Sequence, residues 1–108
     1  MMRGDIVTVA LSGAFGKPRP ALVIQSDLFG QMATVTVLLL SGTRVEAPLI
    51  RIEVDPSPAN GLRKPSQVMI DKVMTIPRDK VGEKFGRLDP DSMIRVERGL
   101  ALFLGLAR

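Results

Sequence analysis

The sequence predicts a mainly β, single-domain fold in which a small, strongly bent antiparallel sheet or barrel is followed by one C-terminal α-helix. Short runs of β-branched and other apolar residues alternate with turns that contain glycine or proline. Apolar residues adopt a helical spacing only after Asp89. The chain has 108 residues, enough for one hydrophobic core and too few for two. Residues 1–108 are therefore expected to form one domain without the helices that a β-α-β layout requires.

The first half of the chain contains three predicted strands. Residues 5–11 open with a β-branched run and predict the first strand. The second strand begins at about Pro20, because proline is tolerated only before pairing starts or on an edge. Residues 26–29 resemble a capped single turn. Residues 34–40 are nearly all β-branched or leucine, which predicts a central strand covered on both faces.

The second half continues with shorter strand signals. Residues 50–54 alternate as a strand, and a proline-rich connection with a turn at residues 60–61 follows. Residues 66–73 resume an extended pattern, a short helical turn follows Pro77, and residues 84–88 predict a weak strand.

The C-terminal segment predicts an amphipathic helix packed on the sheet. Asp89 is a favourable N-cap, Pro90 suits the first helical position, and Gly105 is placed to end the helix. Its apolar face is predicted from residues at three- and four-residue spacing: Met93, Val96, Leu100, Phe103 and Leu104.

Two missing residue types restrict the chemistry. The sequence has no cysteine and no histidine, which excludes disulfides, thiolate catalysis and Ser-His hydrolytic mechanisms. Most transition-metal sites also lose their usual ligands, so no metal site and no cofactor is expected. No apolar run is long enough to span a membrane, and no secretory signal is recognisable, which predicts a soluble, cytoplasmic protein.

The overall charge leaves two interpretations open. A formal net charge of +4 and a pI near 10.1 favour a polyanionic partner. A charge of this size is equally typical of an ordinary solubility surface. With 4% aromatic residues and neither Trp nor Tyr, a platform that stacks several bases is not expected.

The first candidate site is the segment Lys17-Pro18-Arg19-Pro20. Its prolines restrict the backbone, so Arg19 emerges from a defined place, and a guanidinium held in this way can bind a phosphate through paired hydrogen bonds. An incidental arginine at a solvated strand entrance fits the same pattern.

The second candidate is Ser41-Gly42-Thr43-Arg44, where hydroxyls and a cation follow the apolar strand. Strand ends often carry binding groups, although a simple polar turn would have the same composition. The remaining cations are interpreted mostly as solvated surface: Arg63, Lys64, Lys72, Arg78, Lys80, Lys84 and Arg87. The aspartates are interpreted as caps and turns: Asp5, Asp27, Asp55, Asp71, Asp89 and Asp91.

Several segments together resemble the MazF/PemK family of toxins. The resemblance begins with residues 3–7 and is most specific over residues 17–27, which read Lys-Pro-Arg-Pro-Ala-Leu-Val-Ile-Gln-Ser-Asp. The apolar strand that ends at Ser41 is similar to the family's second signature, residues 61–76 to its third, and residues 88–106 to its terminal helix.

The resemblance implies an SH3-like antiparallel β-barrel with a C-terminal helix, usually a homodimer. It also implies a toxin that cleaves single-stranded messenger RNA without a metal and is silenced by a cognate antitoxin. Arg19 falls on the family's catalytic arginine, and Ser41 falls on its active-site hydroxyl. Further RNA contacts are expected from Ser12, Phe15, Lys17, Gln25, Thr43, Arg44 and Lys72.

The chain departs from the family pattern at three places. The loop at residues 12–17 is shorter than in many relatives, so the cleaved sequence cannot be transferred. Lys72 and Met74 stand where glutamine and arginine are frequent, and Ser41 stands where threonine is commoner.

Two other functions stay open at this point. A gyrase poison of the CcdB kind shares the barrel but acts by binding a protein, and its activity is associated with a C-terminal Trp-Gly that residues 103–108 lack. A non-catalytic nucleic-acid-binding barrel would need only the basic charge.

Overall fold

The computed structural model describes residues 1–11 and 17–107. In these ranges the chain forms six strands and one α-helix: β1 (Asp5–Val9), β2 (Arg19–Val23), β3 (Thr34–Ser41), β4 (Arg51–Val54), β5 (Ser66–Pro77), β6 (Val81–Arg87) and α1 (Pro90–Phe103). Single 3-10 turns lie at Asp27–Phe29 and Arg78–Lys80. The predicted mainly β fold with a C-terminal helix is confirmed. Within the described ranges, no helix has the length and apolar character required to cross a membrane.

All strand pairs are antiparallel, and the sheet order is β4-β5-β3-β2-β1-β6. The outer strands β4 and β6 are not hydrogen-bonded to each other in the described part of the chain, so the sheet is not closed. The pairing of β3 with β5 shifts register between Leu38 and Leu40. Such a bulge bends a strand and increases its twist.

The predicted central position of β3 is confirmed, and its side chains contribute to two apolar clusters. Val35 and Val37 belong to one cluster, and Leu38 and Leu40 belong to the other. Because side chains alternate along a strand, these residues point to opposite faces of the sheet. The second cluster includes Val96, so α1 covers that face.

The other strand predictions differ from the structure mainly in length. β2 starts at Arg19, and its pairing with β3 begins at Ala21, just after Pro20. β5 extends past the predicted end at residue 73, because its last residues pair with the start of β3 up to Thr34 opposite Pro77. The hydroxyl of Ser26 accepts a hydrogen bond from the Leu28 N–H, as expected for a capped turn.

The start of α1 agrees with the prediction. The Asp89 carboxylate accepts a hydrogen bond from the Ser92 N–H at 2.9 Å. Hydrogen bonding to Ser92 lowers the pKa of Asp89 from its ordinary value, because it stabilises the charged form. Pro90 opens the helix, and Gly105, at φ +75°, follows its C-terminus.

The predicted apolar face of α1 is wrong at its C-terminal end. Phe103 and Leu104 are 49% and 57% exposed. The helix instead approaches the sheet most closely at buried Gly99, where a Cβ atom would lie 3.2 Å from Ile70 Cγ1. Leu100 still packs against the apolar cluster, whereas residues 102–107 are exposed.

Asp5 is not a turn residue exposed to water but a buried carboxylate, 1% exposed, between β1 and β6. It accepts hydrogen bonds from the Met2 N–H and from Arg87 Nη1 at 2.7 Å, and Lys84 Nζ lies 3.2 Å away. Burial raises the pKa of Asp5, but the hydrogen bonds from Met2, Lys84 and Arg87 together outweigh burial and leave the pKa below its ordinary value. Asp5, Lys84 and Arg87 are called the β1–β6 ion cluster. Lys84 and Arg87 are half exposed, as their interpretation as solvated surface implies, but that interpretation missed their pairing with Asp5.

Asp71 is likewise not a turn residue. It lies within β5, and its carboxylate forms an ion pair with Arg51 of β4. This contact joins the edge strand to its neighbour.

Candidate active site

A groove of about 950 Å³ lies where β2 begins and β3 ends. These two strands are antiparallel neighbours, so the first residue of β2 and the last residue of β3 lie at the same end of the strand pair. The groove is lined by Thr8, Pro18, Arg19, Pro20, Leu40, Ser41, Gly42, Thr43, Gly61, Leu62, Arg63, Lys64, Ser66 and Phe85. The structure thus brings Arg19 and Ser41 to one site.

Arg19 is held by the start of β2. It pairs with Val9 of β1, and the fixed φ angles of Pro18 and Pro20 restrict the backbone on either side. The residue is half-buried, and no carboxylate of the described residues lies within ion-pair distance of it. Its guanidinium is therefore available to bind an anion in the groove.

Ser41 ends β3 with its hydroxyl already engaged as an acceptor. Its Oγ accepts a hydrogen bond from the Thr43 N–H at 3.0 Å. The Thr43 carbonyl oxygen is 3.5 Å from the same Oγ, too far for a strong bond. Because a hydroxyl has one proton to donate, Ser41 can direct that proton toward a ligand.

A buried glutamine fixes the loop that follows Ser41. Gln67 faces Ser41 across the β3–β5 ladder and is 3% exposed. Its Nε2 donates to the Val45 carbonyl oxygen at 3.0 Å and to Glu53 Oε1 at 2.9 Å, and its Oε1 accepts from the Val45 N–H at 3.1 Å. Glu53 also forms an ion pair with Arg44 at 3.2 Å. The sequence analysis missed Gln67, because a glutamine within a strand carries no signal of its partners.

The connection between β4 and β5 is organised by Asn60, which is buried. Its side-chain oxygen accepts from the N–H groups of Ser57 and Leu62, each at 3.0 Å, and its amide donates to the Asp55 carbonyl oxygen at 2.8 Å. The connection packs directly on β6, where a Cβ atom at Gly86 would lie 1.9 Å from the Asn60 carbonyl oxygen. Only glycine permits so close an approach.

This connection delivers two cations to the groove. Gly61 has φ +68°, and a Cβ there would meet the Phe85 carbonyl oxygen at 2.4 Å. Arg63 and Lys64 follow within three residues, and both line the groove. Their interpretation as solvated surface was incomplete, although the predicted turn at residues 60–61 was the available signal.

The groove has one sign of charge. Its described lining includes three cations, Arg19, Arg63 and Lys64, and no aspartate or glutamate. A concave surface lined by one sign of charge concentrates counter-charged ligands. Phe85 is 39% exposed and is the aromatic residue of this lining, which offers a stacking surface for one base. The arrangement suits a polyanionic ligand.

The other predicted contact residues are distributed unevenly. Thr43 lines the groove, and Arg44 lines an adjoining pocket of about 250 Å³. Lys17 is exposed beside Pro18 without lining the groove. Ser12 and Phe15 lie outside the described residues.

Gln25 and Lys72 are not brought to the groove. The amide of Gln25 bonds the backbone at two places: it donates to the Phe29 carbonyl oxygen in the β2–β3 connection and accepts from the Thr36 N–H of β3 at 2.9 Å. Lys72 is exposed on β5, 3.9 Å from Asp71. Both residues stand in segments that resemble family signatures, but that position in the sequence did not show whether their side chains reach the groove.

Comparison with known proteins identifies similar sequences along almost the whole chain. Residues 2–104 match the family model described as PemK-like, MazF-like toxin of type II toxin-antitoxin system. The chain is 49% identical over 108 residues to the probable endoribonuclease MazF of Mycolicibacterium smegmatis, covering 99% of each protein. It is 28% identical over 111 residues to endoribonuclease EndoA of Bacillus subtilis, covering 96% of this chain and 94% of that protein.

Solved structures share the fold. A mycobacterial endoribonuclease in complex with its cognate antitoxin aligns with TM-score 0.82 and 25% identity, over 100% of this chain and 98% of that one. The Mycobacterium tuberculosis toxin MazF-mt6 also gives TM-score 0.82 and 25% identity, over 96% and 99% of the two chains.

Proposed function

As a member of the PemK-like, MazF-like toxin family, this chain is an endoribonuclease of a type II toxin–antitoxin system, and we propose that it cuts single-stranded messenger RNA by internal attack of a ribose 2′-hydroxyl. The observation that carries the proposal is the shared groove, in which Arg19 and Ser41 lie together without a carboxylate in the described lining.

Arg19 is the main catalytic residue in this proposal. A guanidinium matches the planar arrangement of two phosphate oxygens and stays charged at every accessible pH. It binds the scissile phosphate and stabilises the negative charge that grows as the phosphorus becomes pentavalent. It also donates a hydrogen bond to the leaving 5′-oxygen, which stabilises the negative charge on that oxygen until water protonates it.

Ser41 donates its hydroxyl proton to a non-bridging phosphate oxygen. The hydrogen bond that it accepts from the Thr43 N–H keeps the hydroxyl in place before RNA binds. Donors fixed in advance are effective, because they need no reorganisation as charge develops.

The reaction balances without an added reagent. The 2′-oxygen forms a bond to phosphorus as the bond from phosphorus to the 5′-oxygen breaks. The 2′-hydroxyl releases its proton to water, and the leaving 5′-oxygen takes one proton from water. The products are a 2′,3′-cyclic phosphate and a 5′-hydroxyl. The attacking group belongs to the RNA, so the protein needs no histidine; positioning and electrostatic stabilisation provide the acceleration.

The comparisons favour ribonuclease activity over the gyrase-poison alternative, since the curated relatives that match are named endoribonucleases. A supercoiling assay with DNA gyrase separates the two. Inhibition of gyrase with intact RNA would overturn the proposal.

The proposal includes two protein partners. A mycobacterial neighbour is solved with its cognate antitoxin, and the cationic groove fits an acidic antitoxin segment that excludes RNA. A second copy of the chain is the other partner, because exposed apolar side chains lie near the end of α1: Leu102, Phe103, Leu104 and Leu106. Light scattering is expected to report a dimer, and Phe103→Glu is expected to weaken it.

Cleavage of a mixed-sequence single-stranded RNA in EDTA tests the activity. We expect the wild-type protein to cut and Arg19→Ala to be inactive with an unchanged circular dichroism spectrum. A 2′-deoxy nucleotide at the mapped cut site should block the reaction. Cleavage of the deoxy substrate would contradict internal attack, and a requirement for a divalent cation would contradict a metal-independent mechanism.

A further inference from the structure

Lys64 lies directly over Gly42, the residue that follows Ser41. A Cβ atom at Gly42 would be 2.2 Å from Lys64 Cε and 2.6 Å from Lys64 Nζ. These distances are shorter than a non-bonded contact permits, so the present position of the ammonium group depends on glycine at residue 42. The ammonium group of Lys64 therefore lies beside Gly42, the sequence neighbour of Ser41, whose hydroxyl the proposed function uses.

Lys64 also stands at a junction between two concave regions. Ser41, Gly42, Lys64 and Ser66 line both the groove and the adjoining pocket. Arg19 lines the groove alone. The adjoining pocket is completed by residues absent from the groove lining: Arg44, Glu53, Pro65 and Gln67. Ser41 and Lys64 therefore stand between the region that contains Arg19 and the region that contains Arg44.

The two cations beyond Ser41 differ in their pairing. Arg44 is paired with Glu53 at 3.2 Å. Lys64 has no carboxylate of the described residues within ion-pair distance. An unpaired ammonium group beside a bound strand is available to a phosphate, where it acts as a compact point charge with three donors.

On this basis, and resting on the proposed function, we propose that Lys64 binds the phosphate that flanks the scissile phosphate on the Ser41 side, and that Gly42 is the residue that leaves room for it. Lys64 is a binding residue and not a catalytic one, because the flanking phosphate keeps the same charge throughout the reaction. The contact of Lys64 with that phosphate therefore stabilises the bound substrate and the transition state equally.

The consequence is a loss of affinity without a loss of chemistry. Lys64→Met is expected to raise KM about tenfold, which corresponds to about 1.4 kcal/mol, and to change kcat less than about twofold. One phosphate contact on a single strand also contributes about 0.7 to the slope of log affinity against log salt concentration, and this contribution should disappear.

The test uses a short RNA centred on the cut site, which is first mapped by end-sequencing of cleaved transcripts. A 2′-deoxy nucleotide at that site prevents cutting, so that Kd is measured against salt for wild-type and Lys64→Met protein. In further RNAs, one flanking phosphate at a time is replaced by a neutral methylphosphonate. The neutral group on the Ser41 side should weaken wild-type binding about tenfold and leave Lys64→Met unaffected, since both changes remove the same contact.

Two further variants act as controls. Arg98→Met removes one positive charge from an exposed position of α1 outside the groove lining, and it should leave Kd and the salt slope unchanged. Gly42→Ala displaces the Lys64 side chain without removing it, and its affinity should fall toward that of Lys64→Met. Circular dichroism confirms that each variant is folded.

The outcomes separate this inference from the proposed function. If wild-type protein cuts RNA but Lys64→Met keeps the wild-type Kd and salt slope, the inference is wrong and the proposed function stands. Additive losses from Lys64→Met and the methylphosphonate on the Ser41 side also overturn the inference, and so does a large fall in kcat. If the wild-type protein cuts no RNA, the proposed function fails first.

Discussion

Positively charged residues occupy two contrasting regions of this molecule. In the groove, Arg19 and its neighbours have no carboxylate among the described lining residues. In the β1–β6 ion cluster, Lys84 and Arg87 converge on Asp5, which is 1% exposed. Both regions include residues of β6, because Phe85, which lies between Lys84 and Arg87 in the sequence, lines the groove.

The difference concerns what neutralises each charge. A buried carboxylate is costly without partners, so Lys84 and Arg87 stabilise the folded chain by solvating Asp5. The groove cations repel one another and contribute nothing comparable to folding. An anionic ligand supplies the opposite charge there. The contrast predicts that substitutions in the groove change activity and that substitutions in the cluster change stability.

The largest effect is expected at Arg19, where Arg19→Lys keeps the charge but loses the planar fork. We expect the single-turnover cleavage rate to fall about 10³-fold, because paired hydrogen bonds to the phosphate cannot be replaced by a point charge. The urea unfolding midpoint should not change. A variant that cleaves nearly as fast as wild type would reduce the role of Arg19 to charge alone.

Ser41→Ala should have the next largest effect. Removal of one fixed donor to a developing oxyanion costs about 10²-fold in rate. Ser41→Thr is the matched control, because it keeps the hydroxyl and adds the methyl group that restrains its rotamer. Equal rates for the alanine and threonine variants would exclude a hydroxyl contribution.

In the other region, Asp5→Asn should lower the free energy of unfolding by about 1–3 kcal/mol, since it removes the charge that Arg87 and Lys84 bind. Urea denaturation measures the loss, and cleavage by the folded variant should stay near the wild-type rate. If Asp5→Asn had normal stability and low activity, the assignment of the β1–β6 ion cluster to stability would be wrong.

The same cluster predicts a pH dependence. The pKa of Asp5 is below its ordinary value of 3.8 in the folded chain. Its contribution to stability is therefore complete above 3.8 and is lost as the pH falls through the folded pKa. Asp5→Asn should make the unfolding free energy less sensitive to acid. An identical pH dependence in the variant would exclude Asp5 as a source.

The smallest effect is expected at the start of α1, away from both regions. Asp89→Ala removes the bond to the Ser92 N–H and should cost about 1 kcal/mol of unfolding free energy. Asp89→Ser retains a capping group and serves as the control. Cleavage should be unchanged, and a slower reaction would mean that α1 communicates with the groove.

Local sequence signals were sufficient for most of the fold. β-branched runs predicted the strands, and Asp89 and Gly105 marked the helix boundaries near their observed places. Arg19 was identified from its flanking prolines and Ser41 from its place at a strand end, and the family resemblance suggested their roles; the antiparallel pairing of β2 with β3 is what brings them together. Their catalytic roles stay predictions.

Contacts between distant segments were not predictable in the same way. Arg63 and Lys64 reach the groove because the connection between β4 and β5 packs on β6. That packing depends on the contact of Asn60 with Gly86, which are far apart in the sequence. Asp5 gives no local sign that it is buried beside Arg87. Phe103 has a normal helical spacing, and only the folded structure shows that its side chain is exposed.

The most direct test compares Arg19→Gln with Arg87→Gln, since each removes one guanidinium from a different region. For both variants, single-turnover cleavage of one RNA and the urea unfolding midpoint are measured under the same conditions. We predict that Arg19→Gln loses about 10³-fold in rate at an unchanged midpoint, and that Arg87→Gln unfolds at lower urea but cleaves at the wild-type rate while folded. Wild-type cleavage by Arg19→Gln, or an inactive but normally stable Arg87→Gln, would contradict the account.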